Sequence, residues 1–183
     1  MAHGTLRGMT NTSLAAEIDS QCRLHGEFTL RSGQVATEYF DKYLFEGDPR
    51  LIRGIAEELQ PLLPGEVDVL GGLELGGVPI AAVLSQLVNV PTVFVRKKAK
   101  EYGTRKLAEG GPVDGKHVVL VEDVITTGGA VIAAARTLRD LGARVDLVVC
   151  AIDRRPPGAT ELGDAAIAVR SVFTRADLDA VRG

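Results

Sequence analysis

The sequence is poor in cysteine and has no large excess of charge of either sign. Cys22 and Cys150 are too few for a disulfide framework and do not form a CxxC pair, so we expect a reducing compartment, the cytoplasm. The 21 Lys and Arg residues against 24 Asp and Glu leave a net charge of −3. A dedicated nucleic-acid binder would be strongly basic, so that class is not expected. With 45% hydrophobic residues, the near-neutral balance also excludes a disordered chain.

A membrane-spanning run is missing as well. Residues 75–95 carry no charge, and their length alone could cross a bilayer. Pro91 would break such a helix. The segment therefore predicts a buried helix over about 79–88 and a strand at 92–95, with no membrane span. The first residues lack an apolar h-region, so no secretory signal is expected.

What the chain does contain is an alternation of strand and helix patterns. Short β-branched runs occupy residues 67–71, 92–95, 117–122 and 145–152, and helical patterns occupy 79–88 and 130–141. Apolar strands that alternate with helices predict an α/β fold with a largely parallel central sheet flanked by helices. The length of 183 residues predicts a single domain, with an N-terminal elaboration over about 1–45 and the core over about 65–175.

In the N-terminal half, residues 13–23 have the spacing of an amphipathic helix. The segments 26–33 and 36–45 read as short extended pieces around polar turns. Asp48 followed by Pro49 predicts a helix start, since Asp is a good N-cap and Pro suits the first helical position.

Ligands of parallel sheets bind beyond the carboxyl ends of the strands, which directs attention to the loops 72–77, 122–129 and 153–158. In the second loop a strand runs into Glu122–Asp123 and a helix starts near Ala130. The turn between them, 126–129, has two threonines and two glycines, so its free amides can surround a phosphate at a helix N-terminus. Adjacent carboxylates repel phosphate but suit the two vicinal hydroxyls of a ribose. The acidic pair and the phosphate-binding turn together predict a ribose-5-phosphate site.

Two other phosphate motifs are excluded. No GxGxxG occurs in the chain. Gly110, Gly115 and Lys116 have Walker spacing, but His117 stands where Ser or Thr should follow and the segment precedes a strand. We regard that match as accidental. His3, His25 and His117 have no metal-ligand spacing, and His117 is expected to be structural.

Residues 96–116 form a long basic segment rich in glycine. Six basic residues fall within eleven positions: Arg96, Lys97, Lys98, Lys100, Arg105 and Lys106. A solvated charged loop is one interpretation, and a nucleic-acid patch is disfavoured because only Tyr102 is available for base stacking. A mobile cationic lid that closes over a polyphosphate explains both the charge and the glycines.

The segment VVLVEDVITTGGA resembles the phosphoribosyl-pyrophosphate (PRPP) signature of the type I phosphoribosyltransferases. The segments 96–103 and GEFTLRSG resemble those of the orotate phosphoribosyltransferases in particular. The resemblance implies a parallel sheet with an N-terminal hood over the base. It also implies that orotate and PRPP give orotidine 5′-monophosphate and pyrophosphate, with Mg²⁺ bound mainly through the substrate. A homodimer that shares its basic loop between sites is implied too.

The same resemblance implies roles for individual residues. PRPP would be bound by Arg96, Lys97, Lys100, Tyr102, Glu122, Asp123, Val124, Ile125, Thr126, Thr127, Gly128, Gly129 and Ala130. Orotate would be bound by Thr126, Arg154, Tyr39 and Phe40. Lys100 and Asp123 would be catalytic, and the turn 72–77 would form a second pyrophosphate loop.

Three positions depart from the family pattern. Tyr102 replaces a common histidine, Gly76 a common lysine, and Arg31 a common hood lysine. The first two remove positive charge from the pyrophosphate side. A type I phosphoribosyltransferase for another base, or a non-catalytic PRPP-sensing regulatory module, remain as alternatives.

Overall fold

A central sheet places the predicted β-branched runs side by side. The structure is a computed structural model that describes residues 11–29, 33–97 and 107–182. Within these ranges one sheet has the order β5-β4-β3-β6-β7-β8. Its strands are β3 (Val69–Leu73), β4 (Thr92–Val95), β5 (Ala108–Gly110), β6 (Val118–Ile125), β7 (Leu147–Asp153) and β8 (Ala168–Thr174). All neighbours are parallel except the β4–β5 pair, so the predicted α/β fold with a largely parallel sheet is confirmed.

The sheet is wider than the sequence pattern predicts. β5 has three residues, too few to give a periodic signal. β8 is an edge strand whose side chains are mostly exposed or half-buried, so it lacks the continuous apolar run of its neighbours. β6 runs on to Ile125, beyond the predicted end at 122. The acidic pair therefore lies within the strand and not in the turn after it.

Helices cover both faces of the sheet. Helices α3 (Pro49–Leu59) and α4 (Gly77–Val88) pack on one face, and α5 (Gly129–Asp140) packs on the other. Successive residues of β6 alternate between these two cores, with Val119 in one and Val118 in the other, as the strand pleat requires. Helices thus bury both faces of the sheet.

The predicted helix starts are close to the observed ones. The Asp48 carboxylate accepts hydrogen bonds from the amides of Arg50 (2.8 Å) and Leu51 (3.3 Å), and Pro49 begins α3. α4 begins two residues earlier than predicted, at Gly77, and ends at Val88, after which Asn89 caps it with a left-handed φ of 55°. No helix in the described parts of the chain is long and apolar enough to cross a membrane.

A small N-terminal unit packs beside the sheet, and we call it the hood. It comprises α1 (Asn11–Cys22), a hairpin of β1 (Arg23–Thr29) and β2 (Val35–Phe40), and the short helix α2 (Tyr43–Glu46). The extended stretch predicted over 36–45 is therefore wrong beyond Phe40. The Asp41 carboxylate accepts a hydrogen bond from the Tyr43 amide at 3.2 Å, and buried Phe45 anchors the helical turn.

A short helix, α6 (Glu161–Asp164), precedes β8, and ion pairs join the hood to the helix after β8, α7 (Arg175–Ala180). The Arg23 guanidinium is largely buried and contacts Asp19 (2.6 Å), Asp179 (3.1 Å) and Glu38 (3.2 Å). These three carboxylates come from α1, α7 and β2. A single arginine thus joins three elements around the hairpin.

The two cysteines and His117 are structural in position. Cys22 and Cys150 are buried free thiols, and burial raises the pKa of Cys22 to about 12. The His117 ring contacts the Glu66 carbonyl at 2.8 Å and the Asp146 carboxylate at 2.7 Å. Both contacts lie at the amino end of β6, away from the carboxyl edge.

Candidate active site

The acidic pair of β6 lies at the carboxyl edge of the sheet and is almost inaccessible to solvent. Glu122 is 8% exposed and Asp123 is 1% exposed. The Glu122 carboxylate accepts a hydrogen bond from the Asp123 amide at 3.1 Å, and the Asp123 carboxylate accepts one from the Val124 amide. Two carboxylates are thus buried next to each other where a ligand of the carboxyl edge would bind.

Lys42, at the end of the hood hairpin, reaches this pair. Its ammonium donates a hydrogen bond to the Asp123 carboxylate and forms an ion pair with it. Sequence reasoning missed Lys42, because the two residues are 81 positions apart and no spacing rule connects them. Its place two residues after Phe40, which the resemblance assigns to the base, is the only hint that the sequence offers.

Glu46 of α2 brings a third carboxylate to the cluster. Burial, and after it the nearby Asp123, raise the pKa of Glu46 to about 8. Burial and Asp123 likewise raise the pKa of Glu122 to about 9. Burial opposes ionisation of Asp123, but hydrogen bonds from Glu122, Glu46 and Lys42 outweigh it and lower its pKa. Near neutral pH, Asp123 is therefore the ionised member of the cluster and the two glutamates hold protons.

Gly76, in the turn after β3, lies against the same carboxylates. A Cβ at this position would lie 1.7 Å from Asp123 Oδ2 and 2.5 Å from Glu46 Oε1. The next residue, Gly77, is equally close to the backbone of β6, since a Cβ there would lie 2.2 Å from the Val121 carbonyl oxygen. Both glycines are thus required for the turn 72–77 to approach the acidic cluster.

The turn after β6 forms a cradle at the start of α5. Thr126 and Thr127 are exposed, and the Gly129 amide donates a weak hydrogen bond to Thr127 Oγ1 at 3.4 Å. Gly128 has a φ of 82°, and a Cβ there would lie 2.9 Å from Leu162 Cγ. The start of a twelve-residue helix provides unpaired amides that suit a phosphate. Ile125, by contrast, is 2% exposed, and its side chain belongs to the core.

The proposed base site brings the hood and the loop after β7 together. The Arg154 guanidinium carbon lies 5.3 Å from the centroid of the Phe40 ring. The Arg154 amide donates to the Ile125 carbonyl at 2.8 Å, so this loop is tied to the end of β6. Burial lowers the pKa of Arg154, and the charges of Arg175 and Arg23 lower it further. A cavity of about 780 Å³ adjoins Arg154.

Tyr39, the other hood residue that the resemblance assigns to orotate, lies on the opposite side of β2 from Phe40, because successive strand residues alternate. Its ring packs on Phe28 with 5.5 Å between the centroids, and the residue is 42% exposed. The structure therefore places Phe40, and not Tyr39, beside Arg154.

On the pyrophosphate side, the structure describes only part of the predicted set. Arg96 and Lys97 line a cavity of about 200 Å³ together with Glu74 and Ala130. The Lys97 amide donates to the Glu74 carboxylate at 2.9 Å, so the segment after β4 meets the turn 72–77. Lys100, Tyr102 and the hood residue Arg31 lie outside the described residues.

The part of the chain that the structure describes contains no group of three or more His, Cys, Asp or Glu side chains that could hold a metal ion. In this cluster a lysine ammonium already occupies one face of Asp123.

The sequence and the fold are similar to those of known proteins. A family model described as a phosphoribosyl transferase domain matches residues 47–169. The orotate phosphoribosyltransferase of Nocardioides sp. (strain ATCC BAA-499 / JS614) is 63% identical over 172 residues, which cover 94% of this chain and 96% of that protein. The solved structure of Mycobacterium tuberculosis H37Rv orotate phosphoribosyltransferase in complex with Fe(III) dicitrate gives a TM-score of 0.80 at 32% identity and covers 92% of this chain and 98% of that one. The complex of the Mycobacterium tuberculosis protein with PRPP gives 0.76 at 29% identity, with the same coverage.

Proposed function

Because the chain belongs to the phosphoribosyl transferase family, we infer that the protein is an orotate phosphoribosyltransferase. It transfers the 5-phosphoribosyl group from PRPP to orotate and gives orotidine 5′-monophosphate and pyrophosphate. The observation that carries this inference is the 63% identity to an orotate phosphoribosyltransferase over nearly the whole chain. The arrangement of an acidic pair, a phosphate cradle and a base-facing arginine along one sheet edge supports it.

We propose that PRPP lies along the carboxyl edge of the sheet. The Asp123 carboxylate accepts a hydrogen bond from a ribose hydroxyl, and Glu122 holds the neighbouring hydroxyl. The 5′-phosphate binds the amides and hydroxyls of the turn 126–129, at the start of α5. The pyrophosphate faces Arg96, Lys97 and the turn 72–77.

Orotate is proposed to bind between the phosphate turn and the hood. Its carboxylate is recognised by the Arg154 guanidinium, which makes the charged contact that uracil could not make. Phe40 packs against the same guanidinium and forms a wall of the base site. Thr126 lies at the end of β6, between the base and the phosphate.

The chemistry requires charge stabilisation more than covalent participation by the protein. Cleavage of the bond between C1 and pyrophosphate leaves positive charge on the ribose ring and negative charge on the leaving group. Ionised Asp123 lies on the ribose side, and basic residues lie on the pyrophosphate side, so catalysis is electrostatic and positional. We propose that Lys100 stabilises the leaving pyrophosphate when the basic segment covers it and excludes water.

Mg²⁺ is proposed to enter with PRPP. This ion keeps several of its waters and prefers substrate phosphate oxygens to a cage of protein ligands. When bound, it supplies positive charge that neutralises the pyrophosphate. We further propose that the enzyme works in the cytoplasm as a homodimer, with the basic segment of one subunit serving the site of the other.

A panel of bases tests the proposed function. The protein is incubated with PRPP, Mg²⁺ and orotate, uracil, adenine, guanine or hypoxanthine, and pyrophosphate release is followed. We expect pyrophosphate release with orotate and with none of the other bases. Release with another base in place of orotate would support a phosphoribosyltransferase of different specificity, and PRPP binding without release would support a regulatory module.

A further inference from the structure

Lys42 is a charged residue of the hood that the reaction outlined above does not use. Its side chain is two-thirds buried, with 33% of its surface exposed, and its ammonium contacts a carboxylate that is 1% exposed. Tyr43 lies beside it, with 5.5 Å between the ammonium and the ring centroid. Holding a long lysine side chain in one conformation costs conformational entropy, so a specific role for Lys42 at the ribose end of the site is expected.

The surroundings of Asp123 are crowded with acidic groups. Glu122 precedes it on β6, and Glu46 approaches it from α2. Glu46 Oε1 is buried and has no hydrogen-bond partner in the described part of the chain. Asp41 adds negative charge near Glu46. Lys42 brings a positive charge to this group and contacts Asp123 directly.

Buried carboxylates that lie this close cannot all be ionised, so they share protons, and a nearby cation decides which one stays charged. A protonated carboxyl is a poorer acceptor for a ribose hydroxyl than a carboxylate, since charge-assisted hydrogen bonds are roughly twice as strong. If Glu46 or Glu122 held the negative charge instead, Asp123 would be a neutral carboxyl and a weaker acceptor for its ribose hydroxyl. The contact between Lys42 and Asp123 places the charge on Asp123.

We propose that Lys42 is a positioning residue for PRPP binding. It keeps Asp123, and not Glu46 or Glu122, as the carboxylate that accepts a hydrogen bond from a ribose hydroxyl. The proposal rests on the proposed function, because it assumes that PRPP is the ligand of Asp123. It assigns the hood a part in binding the sugar in addition to its part in binding the base.

The test compares PRPP dissociation constants by calorimetry, with Mg²⁺, between about pH 6 and about pH 9. Lys42→Met should weaken PRPP binding at neutral pH by about tenfold or more, the effect of losing a charge-assisted acceptor. Loss of the ammonium raises the pKa of Asp123, so the defect should be largest at low pH and shrink as pH rises. The Michaelis constant for PRPP should rise more than kcat falls.

Three further variants make the result specific. Lys42→Arg keeps the charge and should stay within a few-fold of the starting protein. Glu46→Gln added to Lys42→Met removes one competitor and should recover part of the affinity. Lys116→Met removes an exposed lysine at the far end of β6 and should change nothing. If Lys42→Met fails to fold, Lys42→Gln, which keeps a polar side chain without the charge, carries the same measurement.

An unchanged dissociation constant and pH profile in Lys42→Met would overturn the proposal. So would a loss that is equal at every pH and shared by Lys42→Arg, because that pattern indicates packing and not control of a carboxylate. Failure of the proposed function would look different. The starting protein would then bind PRPP without using orotate, and the comparison between Lys42 variants would still decide the positioning role.

Discussion

Arg154 lies against Phe40, with 5.3 Å between the guanidinium carbon and the ring centroid. One residue follows β7 of the central sheet, and the other ends the hood hairpin. Because a cation is attracted to the face of an aromatic ring, the hood helps to hold the guanidinium in place. The base site therefore depends on how the hood is packed as well as on the arginine itself.

Arg154→Ala should raise the Michaelis constant for orotate by about 10- to 100-fold, the range expected for one charge-assisted contact. The Michaelis constant for PRPP should change little, since the sugar and phosphate contacts lie elsewhere. Steady-state kinetics with each substrate varied in turn checks this. Arg155→Ala is the matched control, because Arg155 is paired with Asp153 at 2.7 Å and should not contact the base. Equal effects of the two substitutions would contradict the assignment.

Arg23→Met should destabilise the protein and weaken orotate binding together. Its guanidinium is largely buried, and its removal leaves the Asp19 carboxylate without its bidentate partner. We expect a loss of about 3 kcal/mol in the free energy of unfolding. Chemical denaturation measures it. Arg53→Met breaks an exposed pair with Glu57 and should lose only about 0.5 kcal/mol. A similar small loss in both variants would show that the buried network does not hold the hood.

Gly128→Ala tests the packing of the phosphate turn. The residue has a left-handed φ, and its new Cβ would lie against Leu162. Gly158→Ala has the same φ of 82° but meets nothing within 4 Å. Left-handed strain alone lowers the free energy of unfolding by about 1 kcal/mol. Gly158→Ala should therefore lose about that amount of stability, and Gly128→Ala should lose clearly more. In a Leu162→Ala background, Gly128→Ala should cost no more than Gly158→Ala does, because the contact with Leu162 is gone; chemical denaturation of the single and double variants measures this. An unchanged cost in that background would mean that backbone strain accounts for the whole effect.

The pH dependence of stability follows from the two protonated glutamates. The pKa of Glu122 is about 9 and that of Glu46 about 8 in the folded protein, well above the ordinary value near 4.3 for the unfolded chain. Between about pH 4 and about pH 9 the folded state binds more protons than the unfolded state, so the free energy of unfolding falls as pH rises.

Calorimetry of the ligand-free protein should therefore show Tm falling by several degrees from about pH 6 to about pH 9, at about 2–4 °C per kcal/mol. Glu122→Gln should flatten this slope, whereas Glu57→Gln, on the exposed face of α3, should leave it unchanged. A slope that is the same in all three proteins would contradict the assigned protonation.

Mixing two inactive variants tests the shared site. Lys100→Ala should lose about 10²- to 10³-fold in turnover, by analogy with removal of one donor to a developing negative charge. Asp123→Ala disables the other end of the site. If the basic segment acts across a dimer interface, exchange of subunits gives heterodimers with one intact site, and activity returns towards half of the starting value per heterodimer. Continued inactivity after exchange, verified by native mass spectrometry, would exclude sharing.

The elements of this fold that have a local sequence signal were predictable from the sequence. The strands 92–95 and 118–125, the Asp48 cap and the turn before α5 all depend on local patterns, and each lies within a few residues of its predicted position. Edge strand β8 was not predicted because all but one of its side chains are exposed or half-buried, so it lacks a buried strand's apolar run. The contacts of Lys42 and Glu46 with Asp123 were not predicted for a different reason. They depend on how the hood docks on the sheet, which no local pattern encodes.

The close approach at Gly76 has a consequence for how this site can change by mutation. Any side chain there would collide with the carboxylates of Asp123 and Glu46 as they now lie. The lysine that the family pattern often has at this position could therefore enter only after the acidic side chains had rearranged. A change at Glu46 alone would not make Gly76→Lys tolerable, because the Asp123 oxygen, 1.7 Å from the new Cβ, is the nearer group. Asp123 would have to move as well, which requires its contact with Lys42 to change. Positions 42, 46 and 76 should thus be inherited as a set.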